Sequence, residues 1–275
     1  MQPCRSDQPL PLILFDILMT TSEKIAAIQA KMGKEPVSQL TAYDYPTARM
    51  LDEAGIDMIL VGDSLGMTML GYPDTTHVTL AHMLHHGECV ARGAKNALVI
   101  LDMPINTFNT PEEALDNARK LMATGVDAVK LEGGAAKEAE IRAIVEAGIP
   151  VQAHIGLLPQ KVKEEGGYKM KGKTEAEAEA LMADLQAVVR AGAFSVVIEC
   201  TRHSVAAALT KASPIPTIGI GSGHGTCHGE VSVFHDLVGG FPWFIPSFVK
   251  PKAHIAEDII RGVTEWKKEL QIPQS

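Results

Sequence analysis

Residues 97–134, ALVILDMPINTFNTPEEALDNARKLMATGVDAVKLEGG, hold one complete β–α–β unit. The first run, Ala97 to Leu101, is apolar at every position, the pattern of a strand covered on both faces in a parallel sheet. A helix candidate follows from Thr110 to Ala123. Thr110-Pro-Glu-Glu gives it a capping hydroxyl, a proline suited to the first turn and two acids facing the helix dipole. A second strand candidate, Ala128 to Leu131, closes the unit.

The same rhythm runs outward in both directions. Val37 to Ala42, Met58 to Val61, Pro150 to Ala153, Phe194 to Ile198 and Pro216 to Ile220 predict further strands, with a weaker eighth at Phe241 to Ile245. Pro46 to Ala54, Leu80 to Gly93, Ala136 to Ala147, Thr174 to Ala191 and Ser204 to Lys211 predict helices. Three of these end in nearly the same phrase, Glu53-Ala-Gly-Ile, Glu146-Ala-Gly-Ile and Arg190-Ala-Gly-Ala, where glycine can close the helix in the left-handed conformation. About eight such units without a break in composition predict an α/β protein of a single domain, a (β/α)8 TIM barrel. A doubly wound open sheet would show a glycine-rich fingerprint after its first strand, and Tyr43-Asp44-Tyr45-Pro46 is not one. The barrel is expected over residues 22–275, with residues 1–21 a leader.

With 25 basic and 33 acidic side chains and a net charge of −8, the chain has no broad positive field for a polyanion, which argues against nucleic acid as a partner. No apolar run reaches the roughly 18 residues of a membrane span, which excludes a transmembrane helix. Pro9 to Met19 superficially resembles the apolar part of a signal peptide. However, Arg5 is the sole positive charge before it, Asp16 interrupts it and no small-x-small site follows; Met19 is an alternative start. Cys4, Cys89, Cys200 and Cys227 are scattered, without CxxC spacing, as expected of reduced thiols in a cytoplasm.

A barrel places its chemistry at the carboxyl ends of its strands. Here those ends read Asp44, Gly62-Asp63-Ser64, Asp102, Lys130-Leu-Glu132, His154, Glu199 and Gly219-Ile-Gly-Ser-Gly223. Turn and cap preferences account for any one carboxylate. They account poorly for Asp63, Asp102 and Glu132 together, in the same slot of three consecutive strands, and these are predicted to surround a divalent cation. An oxygen-only ligand set with room for water points to Mg²⁺. Lys130 and Glu132, two apart on a strand, share the interior face. Lys130 either pairs with Asp102 or Glu132 or holds a substrate carboxylate or oxyanion. Glu199, across the barrel from Asp63, suits a general base, with a simple ion pair as the alternative. His154 is either a donor to substrate or metal-bound water or a core histidine. His82, His85 and His86 lack the HExxH order of a zinc site. His224 and His228 flank a glycine-rich turn, and Gly219 to Gly223 could bring backbone amides to a phosphate.

Ten ordered segments carry a family resemblance, among them LTAYDYPTA (40–48), VGDSLGMTMLGY (61–72), VKLEGG (129–134), AHIGLLPQ (153–160), GGYKMKGK (166–173) and VIEC (197–200). From about Ser22 onward the chain resembles ketopantoate hydroxymethyltransferase, of the phosphoenolpyruvate mutase and isocitrate lyase type of barrel. The resemblance implies transfer of a hydroxymethyl group from 5,10-methylenetetrahydrofolate to 3-methyl-2-oxobutanoate. It also implies Mg²⁺ at Asp63, Asp102 and Glu132, ketoacid contacts at Ser64 and Lys130, Glu199 as proton acceptor, and a homo-oligomer, commonly a decamer. A folate-independent 2-oxo acid lyase or decarboxylase of the same superfamily is the alternative activity. His77, Asn106-Thr107, Leu158 and Cys227-His228-Gly229 depart from the family pattern without touching the proposed metal or base positions.

Overall fold

The computed structural model describes residues 19–270; the expected leader falls largely outside them. Eight parallel strands close into a barrel: β1 (Val37–Thr41), β2 (Met58–Val61), β3 (Leu98–Asp102), β4 (Ala128–Glu132), β5 (Val151–Gly156), β6 (Ser195–Glu199), β7 (Thr217–Ile220) and β8 (Gly229–Ser232). Around and between them run α1 (Thr21–Ala30), α2 (Tyr45–Glu53), α3 (Leu65–Thr68), α4 (Leu80–Gly93), α5 (Pro111–Met122), α6 (Glu138–Glu146), α7 (Glu175–Arg190), α8 (His203–Ala212), α9 (Phe234–Leu237) and α10 (Ile255–Glu269). The predicted (β/α)8 barrel is the observed fold, in one domain.

Apolar side chains fill two layers. Met58, Leu60, Leu98, Ile100, Val197 and Ile218 pack inside the barrel, and a larger cluster, including Ile59, Val61, Val99, Leu101 and Leu121, lies between barrel and helices. Period-two alternation sorts them, since successive strand residues point to opposite faces. Capping hydroxyls at Thr110 and Thr174 accept from the backbone N–H three residues on, starting α5 and α7 where their sequences predict.

The eighth strand is corrected. It is Gly229–Ser232, paired to β7 and β1, and residues 241–245 form no strand. Pro242 and Pro246 deprive that segment of ladder donors, and Trp243 is exposed. The true strand, GEVS, is short and alternating, so an apolar run does not mark it.

Four helices lie outside the sequence expectations, the short α3 and α9 and the longer α1 and α10. Thr20 and Glu23 form a reciprocal capping box that starts α1, which lies against the barrel's amino-terminal end, with Lys24 Nζ 2.9 Å from Ala97 O and 3.0 Å from Asp127 Oδ2. By contrast, α10 contains no buried residue.

Strand register places the functional positions. Asp102 is aligned with Lys130, Glu132 with His154, and Gly156 with Glu199, so the carboxyl ends of β3 to β6 present one continuous rim.

Candidate active site

That rim opens into a cavity of about 740 Å³, lined by Asp63, Ser64, Asp102, Lys130, Glu132, His154 and Glu199, all seven of the predicted site residues. Asp63 follows β2, and Glu199 ends β6, four strands away in an eight-stranded ring and therefore opposite.

Lys130 Nζ reaches both oxygens of Asp102, at 2.8 and 2.7 Å, so the ion pair weighed from the sequence is present. The backbone N–H of Asp63 donates to Asp102 Oδ2 at 3.4 Å. Two partners come from outside the sequence expectations. Gln160, in the loop after β5, donates its side-chain amide to Asp63 Oδ2 at 2.8 Å and its backbone N–H to Glu132 Oε2 at 3.1 Å. Tyr43, after β1, places its hydroxyl 2.8 Å from Ser64 Oγ. Both lie in segments that carry the family resemblance, but neither is marked by strand periodicity or by ending a strand. Their roles arise from loop geometry that strand periodicity does not specify.

His154 is buried between two carboxylates. Nε2 lies 3.2 Å from Glu199 Oε2 and Nδ1 3.7 Å from Glu132 Oε1, yet neither nitrogen has the alignment of a hydrogen bond. Burial holds its pKa below the usual histidine value despite Glu199 beside it, so it is neutral and has hydrogen-bonding capacity to spare.

The site is strongly acidic for its degree of burial. Burial, followed by repulsion from Asp102, pushes Asp63 up to about 7. Burial and the charge of Asp63 raise Glu132 well above the ordinary glutamate value. Burial works against the Lys130 charge, but Asp102, Glu132 and Asp63 more than offset it and keep the ammonium protonated. One ammonium therefore stands among the four carboxylates Asp63, Asp102, Glu132 and Glu199, an imbalance that a divalent cation would relieve. Among the described residues no three such groups close into a ready-made cage. Mg²⁺ requires none, because it keeps several waters and is usually held by one or two carboxylates, so the oxygen-only set fits this ion.

The remaining strand-end residues serve structure. Asp44 caps α2 through Thr47. His82 sits in the capping box of α4, His86 Nδ1 is 2.6 Å from Tyr43 O, and the three α4 histidines share no metal position. His224 pairs with Glu230, and His228 bonds Thr217. Ser222 Oγ donates to Ile198 O at 2.8 Å and accepts from Thr201 N at 3.0 Å, so the Gly219 to Gly223 segment ties β6 to β7.

A closed β/α barrel with a buried carboxylate cluster and one lysine at the carboxyl ends of its strands defines an enzyme of the barrel class, and solved structures agree with the fold. A putative phosphonomutase from Burkholderia cenocepacia superposes with a TM-score of 0.66 at 17% identity, over 90% of this chain and 99% of that one. A phosphonopyruvate hydrolase solved with oxalate and Mg²⁺ gives 0.60 at 14% identity, over 91% and 98%. The chain belongs to the ketopantoate hydroxymethyltransferase family, whose model matches residues 21–274. A 3-methyl-2-oxobutanoate hydroxymethyltransferase of Syntrophobacter fumaroxidans is 48% identical over 249 residues, 90% of this chain and 88% of that protein. One of Pyrobaculum aerophilum is 50% identical over 243 residues, 88% and 92%. The protein is accordingly a transferase, of the hydroxymethyltransferase kind that serves pantothenate biosynthesis.

Proposed function

We propose that this hydroxymethyltransferase uses Mg²⁺ and takes its one-carbon unit from 5,10-methylenetetrahydrofolate, adding it to 3-methyl-2-oxobutanoate. The observation that carries the reading is the convergence of Asp63, Asp102, Glu132, Lys130 and Glu199 on one cavity, with the candidate base opposite Asp63.

Asp63, Asp102 and Glu132 would hold the ion, which when bound stabilises the negative charge that grows on the keto oxygen. Lys130 supplies a fixed positive charge for the anionic ketoacid, and its contact with Asp102 is the bond a substrate oxygen would share. Ser64, oriented by Tyr43, offers a hydroxyl to the substrate carboxylate. Glu199 takes the C3 proton, and neutral His154, with both ring nitrogens unpartnered, donates to a substrate oxygen without adding positive charge. The C3 carbanion then forms the new C–C bond to the methylene carbon of the folate. One water supplies the hydroxyl, both C–N bonds to the folate break, and the C3 proton and the second proton of that water end on the two folate nitrogens. Apolar walls from Val197, Ile220 and Val231 shield the C3 carbanion from protonation by bulk water.

The test is exchange of the C3 proton of 3-methyl-2-oxobutanoate into D₂O, followed by NMR with Mg²⁺ present. Glu199→Gln is expected to slow exchange by at least about 100-fold, the usual worth of a positioned base. Wild-type exchange in that variant would remove Glu199 from the role. Condensation that proceeds without folate, or in excess EDTA, would overturn the donor or the metal.

The exposed apolar residues of α10, Ile259, Ile260, Val263 and Trp266, support assembly into a homo-oligomer, for which the family resemblance implies a decamer. Among the described residues no helix is long and apolar enough to cross a membrane. Among the described residues Cys89, Cys200 and Cys227 are free thiols, in keeping with a reduced, cytoplasmic setting.

A further inference from the structure

We propose that Gln160 is a positioning residue that fixes Asp63 and Glu132 in the arrangement a divalent cation requires. The inference rests on the reading of those carboxylates as cation ligands.

Gln160 follows Pro159 in a single 3-10 turn, Pro159–Lys161, and is buried. The ring of Pro159 restricts the backbone that presents the Gln160 N–H to Glu132 Oε2. The side-chain amide has two N–H bonds, and both are used: one to Asp63 Oδ2 at 2.8 Å, the other to Met103 O at 3.0 Å. Met103 O follows β3, so one residue ties together the ends of β2, β3 and β4, the three strands that carry the carboxylates. The bond to Met103 fixes the amide plane, and the amide plane fixes the Asp63 carboxylate.

The division of oxygens matters. Gln160 occupies Oδ2 of Asp63 and Oε2 of Glu132. Among the described residues no hydrogen bond from protein reaches Oδ1 of Asp63 or Oε1 of Glu132, the latter lying 3.7 Å from His154 Nδ1. Each carboxylate is therefore held by one oxygen and keeps the other for a ligand. A neutral amide suits this task. The side-chain N–H stabilises Asp63 as an anion and the backbone N–H of the same residue does so for Glu132, yet neither brings a positive charge to compete with a cation, as a second lysine would. Glutamine after Pro159 thus has a specific use in the site.

The experiment is a titration of full-length protein with Mn²⁺, free Mn²⁺ being read by electron paramagnetic resonance, for wild type, Gln160→Met and Gln160→Asn. Methionine keeps the side-chain volume and removes both donors; asparagine keeps the amide on a shorter stem. Gln160→Met is expected to raise the Mn²⁺ dissociation constant about 10- to 100-fold, the usual cost of losing a partner of a ligand group, with Gln160→Asn between it and wild type. In condensation assays the Mg²⁺ concentration for half-maximal rate should move by the same factor, and most of kcat should return at saturating Mg²⁺, which a general loss of folding would not allow. If Gln160→Met fails to fold, Gln160→Asn carries the measurement. Wild-type protein that takes up no Mn²⁺ would overturn the cation reading itself. Uptake by wild type, with folded variants within twofold of it, would overturn the role of Gln160 alone.

Discussion

The Lys130–Asp102 pair is almost wholly enclosed, with side-chain exposures of 4% and 2%, so neither member can fall back on water if the other is removed. Lys130→Met in metal-free protein is expected to cost about 3 kcal/mol of folding stability, because breaking a buried pair strands a charge; urea unfolding in EDTA measures it, and a loss below about 1 kcal/mol would show that Asp102 finds another partner. Asp236 gives the opposite sign. It lines the cavity with no hydrogen-bond partner to its side chain among the described residues, and burial pushes it up from 3.8 to about 6. Its folded value exceeds its unfolded one, so the stability tied to its proton is complete below pH 3.8 and lost as pH rises through about 6. Asp236→Asn removes that loss: the variant should equal wild type near pH 4 and exceed it, by on the order of 1 kcal/mol, at pH 7. Chemical denaturation at the two pH values decides it, and an equal gain at both would assign the effect to something other than ionisation. Much of this residue-level picture is legible in the sequence. Lys130 and Glu132 fall on the interior face by a period of two, and Asp63, Asp102 and Glu199 by ending strands. Gln160 and Tyr43 are not, because a loop side chain's direction depends on turns that no periodicity encodes.

The helices and strands that sequence marks best are those whose local and tertiary preferences agree. For α5, the Thr110 cap, Pro111 and the early acids all favour a start where packing also wants one. The seam of the barrel is different. Gly229 opens β8 where a Cβ would run into the backbone of Val37, so closure depends on the absence of a side chain rather than on an apolar run, and Phe241 to Ile245 draws the eye instead. Gly156 makes a comparable demand beside the chemistry. It ends β5 with φ at +96°, and a Cβ there would collide with the carbonyl oxygen of Glu199 and lie 2.9 Å from Thr201 Oγ1. Gly156→Ala therefore has to shift the end of β6, which carries the candidate base. The expected result is a loss of C3 proton exchange of about 100-fold, since misplacement by about 1 Å costs that much, together with lower stability from the left-handed backbone, about 1–2 kcal/mol. Exchange by NMR and urea unfolding measure the two separately; a variant that loses stability but keeps the exchange rate would show that β6 tolerates the shift.

At the scale of the whole molecule, the net charge of −8 and the apolar outer helix describe different surfaces of one design. Part of the negative charge is gathered at the mouth, where the proposed cation would offset it, while α10 carries a run of exposed apolar side chains. Positions 259, 263, 266 and 270 recur at helical spacing, so Ile259, Val263, Trp266 and Leu270 form one stripe, with Ile260 beside it, all more than half exposed. Such a stripe on a single chain is the signature of a surface made to be covered. Its own barrel does not cover it: α10 has no buried residue, and the backbone bond from Ile255 N to Val238 O holds only its first turn. A second copy would remove the stripe from water while leaving the strand ends, and the cavity they frame, within each barrel. The double substitution Ile260→Glu and Trp266→Glu is accordingly expected to convert the assembly to smaller species in sedimentation velocity. Circular dichroism should stay close to wild type, because no core contact is lost. Since Trp243, Phe244 and Phe248 line the cavity from the segment that leads into α10, the smaller species should also condense more slowly at the same Mg²⁺. Wild-type protein that sediments as a monomer at micromolar concentration would end the assembly reading, and dissociation with full activity would confine the helix to assembly and detach it from the site.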